Sequence, residues 1–248
     1  MNVLAVDIGN TRIKWGYAET VKGRDGSWLR QGWVATAKPA DLAADWAGLP
    51  APQRIVISNV AGAAVHAQVA ALLPDTATAP LWLVASAAQC GVRSSYADPA
   101  SLGPDRWAAL IAARHLVGTA CVVVNAGTTM TVDALDGEGT FLGGCIVPGA
   151  PLMRAALARD TANLAQRDGA FAYFPDNTGD AIWSGAVNAL AGAVRQMASY
   201  LEQTGAAQPV VLLSGGDAGL VEPQLGGTVM LVDNLVLEGL LRVALSFP

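Results

Sequence analysis

The chain has 248 residues, 52% of them hydrophobic and 14% charged, with a formal net charge of −5. So apolar a composition excludes a disordered chain or a coiled coil, and the acidic balance with scattered arginines argues against a nucleic-acid partner. Lysine occurs only at Lys14, Lys22 and Lys38, followed by Trp15, Gly23 and Pro39, so the Gly-Lys-Ser/Thr phosphate loop is absent.

The opening residues lack a basic cluster and carry an acid at Asp7, unlike a secretory leader. Val3 to Ile8 reads as an apolar strand, Gly9-Asn10-Thr11 as a tight turn, and Arg12 to Ala18 as a second strand. Arg54 to Val60 and Leu81 to Ser86 are further runs of strand character. Between them Val65, Val69, Leu72 and Leu73 give helical spacing to residues 61–73. Pro104 suits a first helical turn, and Trp107, Leu110, Ile111 and Arg114 continue one face of a helix that ends before Gly118. Arg114 and His115 also interrupt the longest apolar stretch, so no run reaches the ~20 residues of a membrane span. The expectation is a soluble, cytoplasmic chain.

From Ala120 the pattern restarts. Strands are predicted over Ala120 to Val124, Met130 to Leu135 and Thr140 to Val147, with Gly127-Thr128-Thr129 and Asp136-Gly137-Glu138-Gly139 as the turns. A helix over Pro151 to Leu164, a loop around Asp176 to Gly179 and a long helix over Asp180 to Gln203 follow. Strands at Val210 to Leu213 and Val229 to Val232 precede a last helix over Val236 to Leu245. Cys90, Cys121 and Cys145 are odd in number and lack CxxC spacing, which suits small interior side chains in a reducing compartment.

The restart is an internal repeat. Val6-Asp7-Ile8-Gly9-Asn10-Thr11 aligns without a gap on Val124-Asn125-Ala126-Gly127-Thr128-Thr129, 118 positions later. It predicts two like domains, residues 1–117 and 118–248, facing each other across a cleft. Each Gly-hydroxyl turn aims backbone N–H groups and threonine hydroxyls to one side, a nest for phosphate oxygens. Asp7 suits a magnesium ion shared with phosphate, or a plain cap on its turn; Lys14 suits a terminal phosphate, or solvent. Asp105 and Arg106 share the first turn of a helix. An acid there also serves the helix dipole, whereas a guanidinium opposes it and calls for a carboxylate partner. The pair fits a substrate bearing one carboxylate and one hydroxyl. Tyr96 is placed to stack on a ligand, or is an ordinary loop aromatic. His66 and His115 read as structural.

These motifs resemble, in order and over nearly the whole chain, the type III pantothenate kinases. Asp7-Ile8-Gly9-Asn10-Thr11-Arg12-Ile13-Lys14 is similar to their first phosphate signature, Gly103-Pro104-Asp105-Arg106 to their G-x-D-R element, and Val124 to Thr129 to their second phosphate motif. Gly143 to Gly149, Asn177-Thr178, Leu213 to Asp217 and Val236 to Leu240 resemble later elements. The resemblance implies an α/β fold of two RNase H-like, actin-like ATPase domains flanking a nucleotide cleft, and transfer of the ATP γ-phosphate to pantothenate with Mg2+. It implies Asp105 as catalytic base, and Tyr96, Gly103, Pro104, Asp105 and Arg106 at the pantothenate. It implies Asp7, Ile8, Gly9, Asn10, Thr11, Arg12, Ile13 and Lys14 with Gly127, Thr128 and Thr129 at ATP. Thr178 would reach the pantothenate site from a partner subunit, making a homodimer. The family usually has Asp where this chain has Asn125, at a site for potassium or ammonium, which implies weaker dependence on a monovalent cation here. Another small-molecule kinase of this fold, or a nucleotide-binding transcriptional accessory protein without turnover, is the competing expectation.

Overall fold

A computed structural model describes residues 1–20, 26–76, 78–161, 164 and 168–247. In chain order the elements are β1 (Asn2–Ile8), β2 (Arg12–Glu19), β3 (Ser27–Ala35), α1 (Leu42–Trp46), β4 (Arg54–Asn59), α2 (Ala63–Ala70), β5 (Leu81–Trp82), β6 (Ala88–Gln89), β7 (Val92–Ser94) and α3 (Pro104–Leu116). Then come β8 (Cys121–Ala126), β9 (Thr129–Leu135), β10 (Thr140–Pro148), α4 (Ala150–Asp160), α5 (Thr178–Gln203), β11 (Val210–Ser214), α6 (Ala218–Val221), β12 (Val229–Leu231) and α7 (Leu235–Ser246). The helix expected to reach Leu164 stops at Asp160; residues 162, 163 and 165–167 lie outside the described residues.

The chain divides into two compact units, Met1–Leu116 with Leu235–Pro248, and Val117–Asn234. This corrects the expected division: α7 belongs to the first unit, because it packs on α3, β1 and β4. Its docking needs a bare backbone. A Cβ on Gly239 would lie 1.8 Å from the Ala108 carbonyl oxygen, so only glycine lets α7 cross α3 this closely. Arg54 then closes the helix end, its guanidinium donating to the carbonyls of Ala244 (2.5 Å) and Phe247 (2.6 Å).

The first unit has the strand order β3-β2-β1-β4-β5, antiparallel across β3, β2 and β1 and parallel from β1 to β5. Alternation splits its faces. Leu4, Val6, Ile8, Ile13, Trp15, Tyr17, Ile55 and Ile57 pack on Leu42 and Trp46 of α1 and Val69 of α2. The opposite face receives α3 and α7: Trp28 lies across Gly16 and its indole N–H donates to Glu238 of α7 at 2.5 Å.

The second unit repeats this connectivity. β10, β9 and β8 form an antiparallel meander, and β11 and β12 extend it in parallel, the arrangement of β3-β2-β1-β4-β5. Its core joins Val122, Val124, Val132, Leu190, Val194, Leu201, Val211 and Leu213. The two hairpins differ by one residue: Ile8 faces Ile13, whereas Ala126 faces Met130.

One expectation needs physical correction. The strand predicted over residues 81–86 pairs only at Leu81 and Trp82, with the Leu83 N–H still reaching Ile57; beyond it the chain leaves the β4 edge although β4 runs on to Asn59. β3 carries no clean apolar alternation, since it is an edge strand with a bulge against Tyr17 and Ala18. His66 stacks on Trp82 with ring centroids 3.6 Å apart. Cys90, Cys121 and Cys145 form no disulfide. Among the described residues no helix is long and apolar enough to cross a membrane.

Candidate active site

The candidate site of the first unit lies at the carboxyl ends of the parallel pair β1 and β4, where open α/β sheets place ligands. Register puts Trp33, Lys14, Asp7 and Ser58 in one row across β3, β2, β1 and β4, on the face shared with α3 and α7. Asp7 is nearly buried and its Oδ1 has no hydrogen-bond partner. Burial, and then repulsion from Asp105, push its carboxyl up from 3.8 to about 7, against the pull of Lys14. The buried Ser58 hydroxyl beside it adds the smallest lowering pull. A buried, underpartnered carboxylate oxygen at the mouth of a sheet fits a hydrated cation shared with phosphate. Among the described residues no group of three or more His, Cys, Asp or Glu could hold a metal by itself, so that cation needs its ligand.

The hairpin after Asp7 is held by its own backbone and by β3. Gly9 N–H donates to Arg12 (3.0 Å), Thr36 N–H to the Thr11 carbonyl (3.0 Å), and the Thr36 hydroxyl to the Gly9 carbonyl (2.7 Å). Asn10, Thr11 and Arg12 are exposed at its tip, and Arg12 lies 4.3 Å from the Trp33 ring centroid. Ile8 and Ile13, expected among the ATP contacts, are interior side chains, so only their backbone is available to a ligand.

α3 brings the second half of this site. Pro104 opens the helix, and the Gly103 carbonyl accepts from Trp107 N–H at 3.0 Å. A Cβ on Gly103 would stand 2.6 Å from Asp105 Oδ1, so glycine lets that carboxyl fold back to accept from the Arg106 N–H at 2.8 Å. Partial burial raises the Asp105 pKa; the Arg106 N–H and the Arg106 charge restrain the rise. Arg106 is only 7% exposed, an unusual depth for a guanidinium in a first helical turn, and it donates to the Tyr96 hydroxyl at 3.4 Å. The structure thus assembles Asp7, Lys14, Tyr96, Gly103, Asp105 and Arg106 in one unit. Ser58, Thr36 and Trp33 were missed, because single residues in unrelated strands carry no motif.

In the second unit Asn125 occupies the place of Asp7, with Ser214 and Thr131 as its cross-strand neighbours. Gly127 N–H donates to Thr129 (3.1 Å) and Gly149 N–H to the Thr128 carbonyl (2.9 Å). Two later glycines exist to support this turn. A Cβ on Gly149 would sit 2.1 Å from the Gly127 carbonyl oxygen, and one on Gly215 would sit 2.0 Å from that of Ala126. Thr178 is exposed at the start of α5, where the Asn177 side chain caps the helix by accepting from Asp180 N–H at 3.0 Å.

Comparison with known proteins places this arrangement. The profile of the type III pantothenate kinases matches residues 3–200. A type III pantothenate kinase of Nitrosospira multiformis is 49% identical over 98% of this chain and 90% of its own. Among solved structures, a protein assigned as a 2-dehydro-3-deoxygalactonokinase from Sinorhizobium meliloti superposes with a TM-score of 0.60 at 20% identity, covering 98% of each chain. A non-polymerisable quadruple mutant of pCBH ParM gives 0.52 at 10% identity, covering 99% of each. Those two likenesses establish an actin-like fold, and the near-full-length identity goes further: the chain belongs to the type III pantothenate kinase family.

Proposed function

We propose that this protein transfers the γ-phosphate of ATP to the hydroxyl of pantothenate, the first step of coenzyme A biosynthesis. The observation that carries the reading, beside family membership, is the deeply buried Arg106 next to a half-buried Asp105 of raised pKa. Arg106 and Tyr96 bind the substrate carboxylate, and Asp105 aims the hydroxyl and takes its proton. Gly103 and Pro104 shape the turn that presents them. Phosphoryl transfer passes through a loose transition state, so positioning and charge neutralisation do most of the work. The turn Gly9-Asn10-Thr11 with Arg12 and Lys14 holds phosphate oxygens, and Gly127-Thr128-Thr129 is the corresponding candidate turn of the second unit. Asp7 would hold Mg2+ through water and phosphate oxygens, and the ion supplies neutralisation of the phosphate charge. A cytoplasmic reaction fits ATP as the donor. Release of ADP in a coupled assay tests the activity, with acetate, glycerol and hexoses as competing acceptors; no turnover with pantothenate would remove the reading.

A monovalent cation is assigned to Asn125, whose neighbours Ser214 and Thr131 carry neutral oxygens. Without a carboxylate the site attracts potassium weakly, so activity should rise only shallowly with KCl. Asn125→Asp should lower the half-saturating KCl concentration severalfold. A steep requirement in the natural protein, left unmoved by that change, would refute the assignment.

A homodimer is proposed from Thr178 and the loop before it. Tyr173 and Phe174 are 80% and 94% exposed, while Asp180 and Ser184 of α5 fix the loop by accepting from Ala170 and Ala172 N–H. Rigid, exposed aromatic area of this kind is what a second copy would cover. Light scattering should give twice the chain mass, and Phe174→Ser should shift it towards monomer; a monomeric natural protein sinks the proposal.

A further inference from the structure

We propose that Trp33 is a positioning residue for the phosphoryl donor, holding Arg12 against the phosphate hairpin through its indole face. The inference rests on the reading that ATP phosphates bind this hairpin. Trp33 ends the cross-strand row that contains Lys14 and Asp7, on the same side of the sheet. It is 56% exposed on an edge strand, so burial does not explain a tryptophan there. What it does contact is the Arg12 guanidinium, 4.3 Å from the ring centroid. Arg12 is itself exposed and lies one residue beyond the Thr11 carbonyl that Thr36 fixes.

An arginine beside a phosphate turn normally samples many rotamers in water, and ordering it costs conformational entropy when the ligand arrives. A planar ring stacked beneath the guanidinium removes most of that cost in advance, leaving the N–H edge free to face an anion. Trp33 thereby preorganises the cationic end of the hairpin without touching the reacting atoms.

The test is steady-state kinetics of Trp33→Ala, Trp33→Phe, Arg12→Ala and the Trp33→Ala/Arg12→Ala pair, in a natural protein first shown to turn over pantothenate and ATP. That control separates failure of this inference from failure of the activity itself. Loss of a stacked cation at an exposed site should raise KM for ATP about two- to fivefold, with kcat and KM for pantothenate nearly unchanged. Trp33→Phe should restore most of the loss, and the double variant should be no worse than Arg12→Ala. ATP titration followed by tryptophan fluorescence should show a change that Trp33→Phe removes. Additive effects in the pair, or an equal fall in kcat and in thermal stability, would overturn the role. So would an altered preference among purine and pyrimidine nucleotides, which would make Trp33 a base platform.

Discussion

Asp105→Asn is expected to lower kcat by about 100- to 10,000-fold, the range typical of a lost general base, while ATP still binds. The asparagine keeps the shape that Gly103 accommodates and can still accept from the Arg106 N–H, so the helix start survives. It cannot take a proton. Because partial burial holds the Asp105 pKa above the usual carboxylate value, activity in the natural enzyme should fall on the acid side at a pH above that value. The fall reflects protonation of the base, and Asp105→Asn should abolish this limb in whatever activity remains. Calorimetry of ATP binding with kcat measured on one preparation decides the matter; an unchanged kcat would take Asp105 out of the mechanism.

Asp7→Asn should produce the opposite pairing, a more stable protein with little activity. In the folded chain the Asp7 carboxyl is raised from 3.8 to about 7, so the native state holds this proton more tightly than the unfolded state does. Stability from that proton is present at low pH, is lost as pH rises from about 4 to about 7, and stays lost above. At about 1.36 kcal/mol per pH unit, the ionised carboxyl costs the native state up to about 4 kcal/mol at pH 8. A neutral amide escapes the charge burial and the repulsion from Asp105, so the variant should melt higher at pH 8 in chelator and match the natural protein near pH 4. At roughly 2–4 °C per kcal/mol for a chain of this size, the difference is easy to measure. MgATP should stabilise the natural protein more than the variant, since a cation at Asp7 relieves the same strain. A lower melting temperature for Asp7→Asn at pH 8 would contradict the account.

The comparison of sequence with structure divides along physical lines. Local signals were readable: the apolar runs of β1, β2, β8 and β9, the Gly-hydroxyl turns, Pro104 at a helix start, and the repeat, whose strand order the two units share. The grouping of Asp105 with Arg106 was readable for the same reason, being one helical turn. Long-range facts were not. Ser58 and Trp33 meet Asp7 and Lys14 only through sheet register, and Thr36 reaches Gly9 only after β3 has folded back. The motif glycines 149, 215 and 239 could be seen in the sequence, yet the backbones they admit could not. The place of α7 was missed because the contacts that fix it, Gly239 on Ala108, Glu238 with Trp28 and Arg54 at its end, join residues far apart in the sequence.

That placement of α7 has a consequence for the order of manufacture on the ribosome. The sheet carrying Asp7 emerges first, but on one face α3 is joined by α7, residues 235–246, only after the whole second unit has been made. At the usual 5–20 residues per second, the first unit waits roughly ten seconds after Leu116 for its missing layer. The second unit is a continuous segment and can close in that interval. The second unit can thus be complete before the first, and a ribosome that stops before residue 235 releases a first unit whose sheet has α3 alone on that face. The unit that carries Asp7 and Asp105 thus gains its last packing layer only after the whole second unit has been made.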